Sequence, residues 1–145
     1  MATVKNKVGI VTKPFRFTIE RGKILEFVHA IGDRNPLYTD VDLAKEKGYR
    51  DIPVPPTFST VIDMWGGLSF EALISLLEVN PLRVLHGEQS YEYHSTICAG
   101  DSITAVMEVI DQRAKSGMKL FTLQTNYFND EEEIVLVATS VVIER

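Results

Sequence analysis

The sequence predicts a single α+β domain in which an antiparallel sheet curls round one apolar helix. Three observations carry that expectation. Residues 15–80 hold helical periodicities broken by Pro and Gly, residues 84–144 alternate with a period of two, and the segment Phe58 to Trp65 is apolar round most of its circumference. With 145 residues, 45% apolar and 24% charged, the chain is long enough to bury roughly 68–70% of its unfolded surface. No internal repeat, low-complexity tract or linker-like stretch divides it, so residues 1–145 read as one domain.

Phe15-Arg16-Phe17-Thr18-Ile19 alternates as a short strand. Ile24, Leu25, Val28 and Ile31 then share one helical face until Gly32 stops it. Asp42 to Lys47 is a short helix closed by Gly48. The passage Pro53-Val54-Pro55-Pro56 fits neither a helix interior nor a central strand, and Thr57 after it is placed to cap the next helix. Phe58, Val61, Ile62 and Trp65 follow i, i+3, i+4, i+7 spacing, Met64 widens the stripe, and Gly66-Gly67 ends it. That pattern predicts burial of the whole stripe, Trp65 included, against the sheet. Phe70, Leu73, Ile74 and Leu77 repeat the spacing after Ser69, up to Asn80-Pro81.

The period then changes to two. Gln89, Tyr91 and Tyr93 alternate against Glu88, Ser90 and Glu92; Ile103, Ala105, Met107 and Val109 form another such face, and Phe121, Leu123 and Tyr127 a third. Ile134 to Ile143 is apolar on both faces apart from Thr139 and Ser140, as in a central strand or one covered by another subunit. Turn-rich pieces at Cys98-Ala99-Gly100-Asp101, Ser116-Gly117 and Asn129-Asp130 permit an antiparallel meander. If the Ile134–Ile143 strand lay at an edge it would aggregate, and the expectation is therefore an obligate dimer.

Lys and Arg number 15 and Asp and Glu 20, a net charge of −5 with no block of basic residues, which argues against nucleic acid or an anionic membrane as partner. No apolar run approaches the ~18–20 residues of a membrane helix, and Met1 to Lys7 has no signal-type apolar core. A lone cysteine, Cys98, cannot form an intrachain disulfide; a reducing cytoplasm is the expected location. His86, Glu88, Glu92 and His94 share a strand face by parity, but an ordinary polar face explains them, and no metal is expected. His29 is expected on the exposed side of its helix, and the Glu131-Glu132-Glu133 run at a solvated hairpin tip.

Three segments, taken in order and spacing, resemble the MaoC-like dehydratase family of the hot-dog fold, in its N-terminal-domain branch. They are Gly32-Asp33-Arg34-Asn35-Pro36-Leu37-Tyr38-Thr39-Asp40, then Gly48-Tyr49 leading to Pro55-Pro56-Thr57-Phe58, then Leu85-His86-Gly87-Glu88-Gln89 with Tyr91, Tyr93 and Ala99-Gly100-Asp101. The resemblance implies reversible hydration of an enoyl thioester to the (3R)-hydroxyacyl thioester, carried on coenzyme A or acyl carrier protein, without a cofactor. It also implies pairing of two such units and a site at their interface. Active members carry Asp-x-Asn-Pro-x-His, whose Asp and His hold a water beside C2 and C3, while amides at a helix start meet the thioester oxygen.

Asp33, Asn35 and Pro36 match this pattern; Tyr38 stands where the histidine should be, and Pro55-Pro56 replaces His-Gly at the helix start. An unperturbed Tyr, with a pKa near ~10, is a poor base at neutral pH, and Pro has no N–H to donate. The resemblance therefore implies Asp33 as catalytic residue and Asn35, Tyr38, Thr57 and Phe58 as substrate-binding, in an auxiliary subunit that forms a homodimer or pairs with a complete MaoC-like subunit. Asp33 read alone is equally a turn former, and Tyr38 a packed residue. A non-catalytic acyl-thioester-binding protein stays open as an alternative. So, more remotely, does a thioesterase using Asp63, the one carboxylate on the Phe58–Trp65 helix.

Overall fold

Alternation decides the sheet. In the computed structural model, which describes residues 5–145, strands β1 (Phe15–Thr18), β2 (Val84–Tyr93), β3 (Ser102–Lys115), β4 (Met118–Phe128) and β5 (Ile134–Glu144) form one sheet in the order β1-β3-β4-β5-β2, every pair antiparallel. Residues 1–4, on which the reading of the amino terminus partly rests, lie outside the described residues. The register places Phe15, Ala105, Tyr127, Leu136 and Tyr93 in one row across all five strands. Partners in register point to one side, and this side carries the core: Ile103, Ala105, Phe121, Leu123, Tyr127 and Leu136 are all buried. The β3–β4 hairpin turns at Ser116 and Gly117, both with positive φ (53° and 80°), the backbone of a tight primed turn that glycine adopts without strain.

Helices α1 (Arg21–Ile31), α2 (Val41–Glu46), α3 (Ser59–Gly66) and α4 (Phe70–Leu77) fall where the helical periodicity places them. Ile24 and Val28 bury one face of α1, Gly32 ends it in the left-handed conformation, and His29 is exposed. Ser69 caps α4, accepting from the Ala72 amide at 3.1 Å, and Leu73, Ile74 and Leu77 pack on Val109, Phe121, Leu123 and Val142. A second cluster unites Ile24, Val28, Phe58, Ile62, Ile103, Tyr127 and Leu136, in which Phe58 meets Phe27 edge to face at 5.6 Å. Complete burial of a ring such as that of Phe58 contributes about 1.5–3 kcal/mol.

The structure corrects five expectations. The first concerns α3, which crosses the sheet with Thr60 over Tyr91, Asp63 over Tyr127 and Gly66 over Phe15 and Phe17. The face it presents is thus Ser59, Ile62, Asp63 and Gly66, about a quarter turn from the apolar stripe. Trp65 is therefore 73% exposed, with the Lys23 ammonium of α1 5.0 Å from its ring centre, and Met64 is 75% exposed. Small residues decide the choice: a side chain at Gly66 would stand 2.8 Å from the Phe15 ring, so only a bare backbone lets the helix approach so closely.

Second, Thr57 does not cap α3. Residues 56–58 enter through a turn, Phe58 occupies the cap position in helical conformation, and no side chain caps the helix there. Third, Cys98-Ala99-Gly100-Asp101 is not a hairpin: β2 pairs with β5, so residues 94–101 carry the chain to the other side of the sheet. Only β3, β4 and β5 form a meander. Fourth, the edge premise of the dimer expectation does not hold for β5: it is the central strand that its two apolar faces suggested, between β4 and β2, and the long unpaired edge belongs to β2. Fifth, a bulge at Gly87 breaks parity, so that His86 aligns with Val142 but Glu88 with Val141. His86 and Glu88 therefore point to opposite faces.

Candidate active site

Local hydrogen bonds shape the first wall. After Gly32 turns the chain, the Asp33 carboxylate accepts from the Asn35 amide (2.8 Å) and the Asn35 side-chain oxygen from the Leu37 amide (3.1 Å). These successive Asx bonds wind Pro36–Tyr38 into a 3₁₀ turn, and Asp40 then caps α2 through the Leu43 amide at 3.1 Å. Tyr38 is delivered half-buried against the core.

The second wall is the proline-rich passage, held by pairing with the stretch after β2. Val54 donates to the Ile97 carbonyl (2.9 Å) and Ala99 to that of Ile52 (2.8 Å). The Arg50 guanidinium grips Asp101 through two bonds of 2.6 and 2.9 Å and reaches the Thr96 carbonyl at 3.1 Å. Tyr93 donates its hydroxyl to the Pro56 carbonyl at 2.7 Å, tying the end of β2 to the entrance of α3. Between the walls lies an open cleft of about 390 Å³, lined by Leu37, Tyr38, Tyr49, Pro53, Val54, Pro56, Tyr93, His94, Ser95, Thr96 and Ile97.

Its phenols are poor bases. Burial, then the Asp33 and Tyr49 charges, hold the Tyr38 hydroxyl above the ordinary tyrosine range. Burial, then Tyr91 and Tyr38, push Tyr93 up to about 12. At the entrance of α3 Pro56 has no N–H and the Phe58 amide is bonded to the Pro55 carbonyl at 3.0 Å. Among the described residues neither the Thr57 nor the Ser59 amide has an acceptor; Ser59 is buried and Thr57 exposed, which leaves the Thr57 amide open to a ligand oxygen.

Of the residues singled out in the sequence, Tyr38 lines the cleft and Asp33 lies near enough for its charge to act on the Tyr38 hydroxyl. Asn35 shapes the turn beneath, Thr57 is exposed at the helix entrance, and Phe58 is wholly buried in the core with no place in the cleft wall. Tyr49, Tyr93, His94, Ser95 and Thr96 complete the wall without having been singled out as site residues. Tyr49 and Tyr93 stand within the segments that resemble the family, whereas no spacing marks His94, Ser95 and Thr96. Asp63 lies elsewhere, in the helix–sheet interface, where Tyr127 donates to it at 2.6 Å and burial pushes its carboxyl up to about 6. Among the described residues no group of three or more His, Cys, Asp or Glu is gathered as a metal site would require.

The protein resembles known chains in sequence and fold. Residues 6–138 match the family model described as FAS1-like, dehydratase domain region. A UPF0336 protein of Saccharopolyspora erythraea is 35% identical over 131 residues, covering 89% of this chain and 82% of its own. One of Thermobifida fusca is 34% identical, covering 91% and 86%. Among solved structures, the C-terminally truncated HadBC (3R-hydroxyacyl-ACP dehydratase) complex of Mycobacterium tuberculosis superposes with a TM-score of 0.82 at 20% identity, covering 97% of this chain and 99% of that one. A MaoC-like dehydratase gives 0.87 at 24%; this chain spans 98% of its own length but 43% of that longer protein. The (R)-hydratase of A. caviae involved in PHA biosynthesis gives 0.73 at 19%, covering 97% and 98%. The chain thus belongs to the FAS1-like dehydratase-region family and has the hot-dog fold of the MaoC-like dehydratase on which it superposes.

Proposed function

We propose that the protein is a substrate-binding subunit of a (3R)-hydroxyacyl-thioester dehydratase, working in the cytoplasm with a second hot-dog subunit that carries the complete Asp-x-Asn-Pro-x-His motif. The observation that carries this reading is the wall at Tyr38: a phenol with a raised pKa stands where the family pattern has an imidazole. Hydration must place water oxygen on C3 and a proton on C2 while negative charge gathers on the thioester oxygen. Tyr38 can donate a hydrogen bond to an acyl thioester, and the Thr57 amide can meet its oxygen. Neither takes a proton from water at neutral pH.

The Asp33 carboxylate, already holding the Asn35 amide, keeps its second oxygen for orienting a water. Two of the structural neighbours are described as complexes, HadBC and ChsH1-ChsH2, which supports a paired assembly. Isothermal titration with a non-reactive acyl-CoA thioether, together with hydration of a short trans-2-enoyl-CoA, tests the proposal. The protein alone is expected to bind the thioether and hydrate slowly; Tyr38→His raises the rate and a complete partner subunit raises it further. General acid–base groups supply ~10²–10⁴-fold, so rapid turnover by the unmodified chain alone would overturn the auxiliary role. Absence of thioether binding would overturn the thioester reading itself.

A further inference from the structure

The cleft closes at one end on a hydrogen bond. Val54 pairs with Ile97 and Pro53 bridges to Cys98, so the proline-rich passage and the stretch after β2 run antiparallel; at the α3 end of that ladder the Tyr93 hydroxyl meets the Pro56 carbonyl at 2.7 Å. Both residues line the cleft. Two residues back on β2, on the same face, the Tyr91 hydroxyl lies 3.2 Å from Thr60 Oγ1, and farther across the sheet Tyr127 donates to Asp63 at 2.6 Å. None of Tyr91, Thr60, Asp63 and Tyr127 reaches the cleft wall. Behind Tyr93, then, the seam between sheet and α3 is filled by bonded polar side chains.

The opposite end, toward Pro53 and Cys98, is polar. There Tyr49, Ser95 and Thr96 are shared with a second hollow of about 270 Å³ that also takes in Gly48, Arg50 and Cys98. An acyl thioester has an amide-bearing carrier arm on one side of its carbonyl and an apolar chain on the other. The Ser95 and Thr96 hydroxyls suit the arm. With the thioester oxygen at the Thr57 amide, next to Pro56, the acyl chain is left the space in front of Tyr93.

We infer that the Tyr93–Pro56 bond is the floor of the acyl site and that Tyr93 restricts this subunit to short acyl chains. A longer chain must break that bond, leave the Pro56 carbonyl unpaired and enter a seam of hydroxyls and the Asp63 carboxyl, which costs more than burying a methylene gains. Tyr93 acts here on specificity alone. The inference deepens the thioester reading and rests on it, since it assigns the length of the chain that the same cleft accepts.

The test titrates butyl-, hexyl-, octyl- and dodecyl-CoA thioethers into the intact protein by calorimetry. Wild type is expected to gain affinity from butyl to hexyl, ~4-fold for each methylene buried, and nothing further from octyl to dodecyl. Tyr93→Ala should bind the butyl thioether within ~3-fold of wild type and the dodecyl thioether at least ~10-fold more tightly than wild type. Tyr93→Phe, which loses only the hydroxyl, should show part of that change, and Tyr91→Phe, behind the floor, none. Should Tyr93→Ala lose its fold by circular dichroism, Tyr93→Phe alone decides. A wild-type affinity that climbs through dodecyl overturns the inference, and so does a Tyr93→Phe protein whose chain-length profile matches wild type; the thioester reading stands in either case. If no thioether of any length binds, that reading falls and the inference with it.

Discussion

Asp63 brings a carboxylate into the helix–sheet interface, where it makes no ion pair among the described residues and is met by the Tyr127 hydroxyl. Beside it the Ser59 hydroxyl is buried without a partner. Burial raises the Asp63 carboxyl to about 6 from an ordinary 3.8, against the opposing pull of the Tyr127 bond. At about 1.4 kcal/mol per pH unit, the ionised form costs on the order of 3 kcal/mol of folding stability. The sign follows from linkage. A carboxyl whose folded pKa is raised stabilises fully below pH 3.8, and that contribution is lost as pH rises through about 6. Asp63→Asn, which keeps an acceptor for Tyr127, should therefore raise the urea midpoint at pH 7.5 and leave it nearly unchanged at pH 4. Equal midpoints at pH 7.5 would show that water or relaxation stabilises the ionised carboxylate.

At the scale of elements, α3 shows why an apolar stripe need not choose the buried face. Ser59 and Gly66 are small, Ile62 fills the space between them, and the close approach of Gly66 to Phe15 fixes how the helix rolls on the sheet. Gly66→Val should force the helix off β1 and cost about 1–3 kcal/mol in urea unfolding, with Phe15→Ala in the same chain recovering part of the loss. An unchanged midpoint would mean that the Phe15 ring yields freely. Each strand and helix was legible because its periodicity is local, and the Asp33–Tyr38 turn because Asx bonds span two residues. The roll of α3, the passage of residues 94–101 to the far side of the sheet and the wall at Tyr93–Thr96 were not. They depend on contacts across the sheet that no nearby spacing encodes. The match of Phe58 to the family pattern marked the helix entrance correctly, yet that side chain turns into the core while its neighbours Pro56 and Thr57 face outward.

The molecule as a whole has unequal edges. β1 closes one side with four residues, whereas β2 presents ten at the other, nearly all exposed, with the Gly87 bulge as its one irregularity. A long open edge is a template for another strand unless charge, bulges or proline blunt it, and Glu88 and Glu92 are the acidic residues along it. The outward side of α3 and the segments after it add apolar surface: Met64, Trp65, Leu68 and Phe70 are exposed, and Leu82, just before β2, is 94% exposed. Scattered apolar residues need no explanation, but an open strand edge together with an unsatisfied helix face favours a partner of the same fold. Light scattering should find the protein expressed alone at twice the monomer mass or more. Gln89→Pro, which removes an outward-facing amide in the middle of β2 and leaves the bonds to β5 in place, should shift it toward monomer, and Trp65→Glu should do so more weakly. Circular dichroism must show the strand content retained for either variant to count. If Gln89→Pro remains as associated as wild type while folded, the contact does not run along β2 and the α3 face alone must carry it. If wild type is monomeric throughout, the open edge awaits a different subunit, and co-expression with a hot-dog chain bearing the complete motif should then yield a one-to-one complex that Gln89→Pro weakens.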